Sequence, residues 1–168
     1  MPIPFKNLID SEQSATAGYL KFLPHEASGV WFGALFLMDA RGEPIEFTHA
    51  RIRPPKALLW RPVDIQAYCV RSMCVSMFDA CPASPNIILC IANEVPYDVF
   101  ARDISIDLPV ARLSAKDGSD VMAEWIPEPQ DDAPAKHIYE TLSTRGLLVE
   151  PFERAEIGLR EVYSDLLR

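Results

Sequence analysis

Two carboxylates flank what reads as a tight turn, Asp39 in Met38-Asp39-Ala40-Arg41-Gly42 and Glu46 in Pro44-Ile45-Glu46-Phe47. Carboxylates on adjacent strands can hold Mg²⁺ and activate water for phosphodiester cleavage. The competing role is local: Asp opens turns by accepting backbone N–H groups ahead of it, and Glu is an ordinary outward residue of an edge strand. The turn role is the stronger of the two for this pair. No metal site is assigned from the sequence, and no cofactor.

The second constellation is cationic. Arg51, Arg53, Lys56 and Arg61 fall in a stretch from Thr48 to Arg61 with no acidic residue, together with His49 and Trp60, while the rest of the chain carries a charge of −12. Arginine grips phosphate or carboxylate in a bidentate fork, and an exposed tryptophan stacks on bases or anchors a protein partner. Arg51, Arg53, Lys56, Trp60 and Arg61 are thus the expected binding residues, for an anion or a partner. The alternative is an edge strand shielded by its charges, with Trp60 in the core.

Other chemistry lacks its usual letters. His25, His49 and His137 are not spaced with one another or with cysteine as metal ligands are, although His25-Glu26 has the elements of a general base beside a carboxylate. Cys69, Cys74, Cys81 and Cys90 form no Cys-x-x-Cys pair and lie in an apolar stretch, which reads as reduced core thiols. No phosphate-binding loop, dinucleotide turn, serine-hydrolase elbow or zinc-protease helix motif occurs. No catalytic residue is assigned.

The elements that must position these residues follow from periodicity. The segment 29–52 reads as a β-hairpin, apolar on both faces in its first strand and alternating in its second, with Gly42 supplying the positive φ of a bulged turn. Tyr19–Leu23 reads as a strand beside it. Pro62 suits the first position of a helix running to Ala80, with Val63, Ala67, Val70, Cys74, Met77 and Phe78 as its stripe. Asn86–Ala92 reads as a buried strand, Ile104–Leu108 as a further strand, and Lys116–Asp120 as a turn. In the C-terminal part, Ala135, Ile138, Tyr139 and Leu142 mark one amphipathic helix capped by Gly146. Leu147–Val149 reads as a short extended piece, and Ala155, Leu159, Val162 and Leu166 mark another helix.

The fold class expected is α+β: a mixed or antiparallel sheet built on the hairpin, helix 62–80 packed on it, and two C-terminal helices. The expected organisation is a core domain at 1–126, a proline-rich acidic linker at 127–134, and a helical segment at 135–168 packed on the same core or on a partner.

Within 168 residues, a hydrophobic fraction of 49% supports one packed core. The net charge of −8 is concentrated in residues 113–168, which hold twelve acidic and six basic side chains. That acidity disfavours generic nucleic-acid binding except through the basic segment. Met1–Lys6 lacks the pattern of a secretory signal and no apolar run is long enough to span a bilayer, so a cytoplasmic protein without membrane contact is expected.

The hairpin resembles the Gly-x-Leu-x-x-x-Asp-x-x-Gly-x-Pro hairpin of roadblock and longin-like scaffold proteins over Gly33 to Pro44, and no functional residue is carried over from it. The combination of hairpin, helix and strand also resembles ribonuclease H-like proteins, which implies metal-dependent nucleic-acid chemistry.

Two functions are expected from these features. The first is a non-enzymatic interaction subunit, an adaptor or accessory protein of a larger intracellular complex. The alternative is a nucleic-acid-processing enzyme or accessory subunit with Asp39 and Glu46 holding a metal and the basic edge holding phosphate.

Overall fold

A computed structural model describes residues 15–116 and 120–167. Six strands form one mixed sheet: β1 (Thr16–His25), β2 (Val30–Asp39), β3 (Pro44–Ile52), β4 (Ile87–Ile91), β5 (Val110–Lys116) and β6 (Asp120–Ile126). Three α-helices accompany it: α1 (Pro62–Ala80), α2 (Pro134–Thr144) and α3 (Glu150–Val162). The spatial order is β3-β2-β1-β4-β5-β6. β1, β2 and β3 pair antiparallel, β4 runs parallel to β1 and to β5, and β6 closes the far side antiparallel to β5. The α+β class, the hairpin, the 62–80 helix and the two C-terminal helices all stand as the periodicity implied.

Alternation of side chains across β1 and β2 explains why both strands are apolar throughout. Ala17 and Tyr19 of β1, with Phe32, Ala34 and Phe36 of β2, face a core completed by Ile138, Leu142, Phe152, Ala155 and Leu159 of α2 and α3. Leu20, Phe22, Leu35 and Leu37 face the other way, onto Cys69, Val70, Met73, Cys74 and Met77 of α1. Each central strand is thus buried twice, and a strand clothed on both faces has no polar positions to spare. β3 lies at the sheet edge, where Pro44 costs no ladder bond.

The β2–β3 turn is built as its letters demand. Asp39 Oδ1 accepts the N–H groups of Arg41 (2.9 Å) and Glu43 (3.0 Å), Gly42 adopts φ 87°, and the register shifts between Leu37 and Met38. The C-terminal helices are tied to the sheet by polar contacts as well. Tyr19 donates its hydroxyl to the Leu147 carbonyl (2.6 Å), and Arg154 donates to the Gly42 carbonyl (2.8 Å).

Several local expectations are corrected. Ile104–Leu108 is not a strand: the β4–β5 ladder begins at Val110, after Pro109, whose carbonyl receives the Ile88 N–H. The alternating Ile104, Ile106 and Leu108 pack instead as a connection on the α1 side. Leu147–Val149 is a turn rather than an extended piece. Val63 and Val162 lie off the buried stripes of their helices, at 50% and 45% exposure. Of the turn expected at Lys116–Asp120, residues 117–119 lie outside the described residues, as does the segment Met1–Lys6 read for a signal.

Candidate functional site

The chain leaves β1 toward β2 and β3 on one side of the sheet, then returns through α1 to place β4 on the other. In an open sheet the carboxyl ends of two strands that diverge in this way leave a crevice, and ligands in α/β sheets bind at such a switch point. Here the crevice lies between the ends of β1 and β4.

Three charged side chains meet there. Lys21 on β1 places Nζ 2.5 Å from Oε1 of Glu94, which sits in the turn after β4, and 3.7 Å from Oε2 of Glu156 on α3. Only 13% of the Lys21 side chain and 18% of the Glu94 side chain are exposed. Glu94 Oε2 also accepts the Phe22 N–H at 3.2 Å, so the carboxylate bridges side chain and backbone of β1. Burying such groups costs free energy that their mutual pairing must offset.

The turn carrying Glu94 is held from two directions. Gln66, in the second turn of α1, donates to the carbonyls of Asn93 (2.9 Å) and Glu94 (3.0 Å). Arg112 on β5 donates to the carbonyls of Ala92 and Val95, both at 3.0 Å, and pairs with Glu124 on β6. A cavity of about 180 Å³ is lined by Phe22, Pro24, Trp31, Gln66, Asn93 and Glu94, so of the three charged groups Glu94 is the one that borders it. The three groups form a largely buried ion-pair network, of which Glu94 is the member placed to meet a polar ligand in that cavity.

The basic segment belongs to the same end of the sheet, because β3 ends where β1 and β4 end and α1 begins there. Arg51 and Arg53 line a cleft of about 290 Å³ with Val30, Ile52 and Leu166. Arg51 also lies over the Tyr163 ring at 6.0 Å, and that hydroxyl meets His49 Nδ1 at 2.7 Å. Burial raises the Tyr163 pKa above its ordinary value, with the Arg51 charge opposing the shift. Lys56 is exposed beside a short 3₁₀ turn at Ala57–Leu59, Trp60 is 39% exposed with its ring edge on Tyr68, and Arg61 pairs with Asp64 at 2.7 Å. The expected binding residues therefore gather at one end of the molecule, and Trp60 is not in the core.

Asp39 and Glu46 fare differently. Asp39 is 6% exposed, its Oδ1 is committed to two backbone N–H groups, and its Oδ2 lies 4.0 Å from Arg41 Nε. A carboxylate spent on a turn and facing a guanidinium does not fit a divalent cation, so no metal chemistry is derived there. Among the described residues, no group of three or more His, Cys, Asp or Glu is placed to hold a metal ion. His25 closes the β1–β2 turn through Ser28, Nδ1 to Oγ 2.8 Å, instead of facing a carboxylate. Cys69, Cys74 and Cys90 are buried, and burial pushes the Cys90 thiol up to about 12. No helix among the described residues is long and apolar enough to cross a membrane.

The sequence reading missed Lys21, Glu94 and Glu156. One signal was present: Lys21 is the lone charge within the apolar run Tyr19-Leu20-Lys21-Phe22-Leu23, and a charge on a strand covered on both faces must have a buried partner.

No protein-family model matches the sequence, and no curated protein matches it. Among solved structures, the chain is similar in fold to Endonuclease V from Bacillus subtilis, at a TM-score of 0.48 and 14% identity over 62% of this chain and 46% of that one. It is also similar to Endonuclease V from Streptomyces avermitilis, at a TM-score of 0.46 and 15% identity over 68% of this chain and 56% of the other. The chain spans about half the length of these solved chains. Likeness at this level transfers no residue roles.

It does correct one expectation. The reading as a non-enzymatic adaptor or accessory, protein-binding subunit rested on the absence of local catalytic motifs. Both solved chains are named for an endonuclease, not for an adaptor, and the adaptor reading is withdrawn. The charged groups of this chain's own crevice come from positions 21, 94 and 156, so no local sequence motif contains them.

Proposed function

We propose that this chain acts on nucleic acid. A phosphodiester backbone lies along the basic segment at Arg51, Arg53, Lys56 and Arg61, and the crevice pair Lys21–Glu94 is presented to it. The observation that carries the reading is the placement of the Lys21, Glu94 and Glu156 cluster at the same end of the sheet as a segment with four cations and no acid. Lys21 contributes positive charge toward a phosphate oxygen, and Glu94 accepts or returns a proton at Oε1. Arg112 and Gln66 are positioning residues that fix the Glu94 turn. The strongly acidic remainder of the chain confines binding to this one edge, because like charge repels the backbone elsewhere.

The test is fluorescence anisotropy with labelled DNA and RNA oligonucleotides between 50 and 200 mM salt, followed by a gel cleavage assay with and without divalent cation. Binding should weaken with salt at a log–log slope of about −3 to −4, the value for four phosphate contacts. The double variant Arg51→Glu/Arg53→Glu should lose at least tenfold in affinity, and Glu94→Gln should suppress cleavage while leaving binding within twofold. Absence of binding at 50 mM salt, or affinity indifferent to the charge reversal, refutes the proposal.

A further inference from the structure

The segment between β3 and α1 carries a feature that phosphate binding does not use. Eight consecutive residues, Lys56 to Val63, are exposed, and four of them are large and apolar. Leu58 and Leu59 stand 91% and 92% exposed on the tip of the 3₁₀ turn, flanked by Trp60 at 39% and Val63 at 50%. Two adjacent leucines held fully in water gain nothing from their own fold, and contiguous apolar surface of this kind marks a contact site. The turn is not a loose excursion: the Trp60 N–H bonds the Ala57 carbonyl at 3.2 Å, Trp60 packs on Tyr68, and Pro54, Pro55 and Pro62 restrict the backbone on either side.

We infer that this turn docks an acidic amphipathic segment of another protein. Aliphatic side chains offer no π-face on which a base can stack, so Leu58 and Leu59 are satisfied by apolar side chains rather than by nucleic acid. Charge selects which apolar segment. Arg53 and Lys56 precede the leucines in the chain and Arg61 follows them; Arg61 is paired with Asp64, whereas Arg53 and Lys56 make no ion pair among the described residues. A partner with apolar residues on one face and Asp or Glu beside them therefore matches both properties. Size argues for a short segment: four apolar side chains fall well below the roughly 800 Å² per partner that stable globular pairs bury. This contact is independent of the crevice pair Lys21–Glu94, but it shares Arg53, Lys56 and Arg61 with the phosphate track, so nucleic acid and the acidic segment compete for this edge.

A photo-crosslinking residue, p-benzoylphenylalanine, placed at Leu59 of the full chain in the cells that make it tests the inference, with adducts read by mass spectrometry. The expected adduct is a peptide of a different protein whose apolar residues recur every three or four positions among Asp and Glu. Its yield should fall at least tenfold in the Arg53→Glu/Lys56→Glu background and persist in Glu94→Gln. A synthetic peptide of that sequence should bind the unmodified chain and lose at least tenfold in affinity to Leu58→Asp/Leu59→Asp. Far-ultraviolet circular dichroism of that variant should be unchanged, since both leucines lie outside the cores. Adducts to nucleic acid with none to protein, to peptides of this chain itself or to neutral or basic segments would each overturn the inference. So would the absence of any adduct, or a yield indifferent to charge reversal.

Discussion

Replacing Lys21 by Met keeps the aliphatic stem and removes the ammonium, leaving Glu94 as an uncompensated carboxylate in the crevice. Removing one partner of a fully buried ion pair costs about 3–5 kcal/mol, whereas exposed pairs are worth about 0–1 kcal/mol. With 13% and 18% of the two side chains exposed, this pair lies between those limits. A loss of about 2 kcal/mol is expected, because the Phe22 N–H at 3.2 Å and residual solvent still contact the carboxylate. Glu94→Gln alone should cost about 1–2 kcal/mol, since the amide can still accept one bond while the Lys21 charge is left with Glu156 at 3.7 Å. The double variant should cost less than the sum of the single ones, with a coupling of about 1–2 kcal/mol. Urea denaturation of the four proteins measures this directly, provided the slope with denaturant stays constant. Arg61→Met, which breaks a fully exposed pair, is the control and should show no measurable change. Single costs that simply add, or a Lys21→Met cost indistinguishable from that control, would show that the crevice pair is not coupled and remove the basis for giving it a shared role.

Other outcomes follow from the same structure. Asp39→Ala removes the acceptor for the Arg41 and Glu43 N–H groups and should lower stability by about 1–2 kcal/mol without altering Mg²⁺ or Mn²⁺ binding by calorimetry; a lost metal isotherm would restore the metal reading of that residue. Alkaline pH should destabilise the fold. The Cys90 thiol is pushed up to about 12 by burial, so above a pH of about 8.5 the unfolded chain releases its proton while the folded chain retains it. Stability then falls by up to about 1.4 kcal/mol per pH unit for this group, with Cys69 and Cys74 adding slope of the same sign because burial raises their thiols too, and Cys90→Ala should make the dependence between pH 8.5 and 11 less steep. An unchanged slope in that variant would contradict the burial argument.

Much of the architecture is legible in local chemistry. Helix α1 begins at Pro62 and ends before Cys81-Pro82 because proline is tolerated in a first helical turn and not beyond a last one. The hairpin is encoded by Asp39 and Gly42, whose turn roles need nothing from the rest of the chain. The basic edge is a matter of composition, and its residues remain together because they are neighbours in sequence. Local reading faltered where an alternating pattern met no partner strand, as at Ile104–Leu108, and where a stripe ran past the surface it was to cover, as at Val63 and Val162.

Sequence alone therefore determined the β2–β3 hairpin, β1, β4, the three helices, the turn chemistry and the cationic edge, which depend on interactions between residues a few positions apart, but not β5 and β6. It also carried one trace of the crevice, a single lysine in an apolar strand. Which carboxylates would answer that lysine was decided by the crossing of the chain from β3 through α1 to the far side of β1, and by the return of α3 across the sheet. Those steps bring positions 21, 94 and 156 into contact, and no spacing in the chain records them. The same tertiary arrangement spent Asp39 on its own turn, because hydrogen bonds two and four residues ahead, closed within a buried hairpin end, leave the carboxylate no coordination to offer.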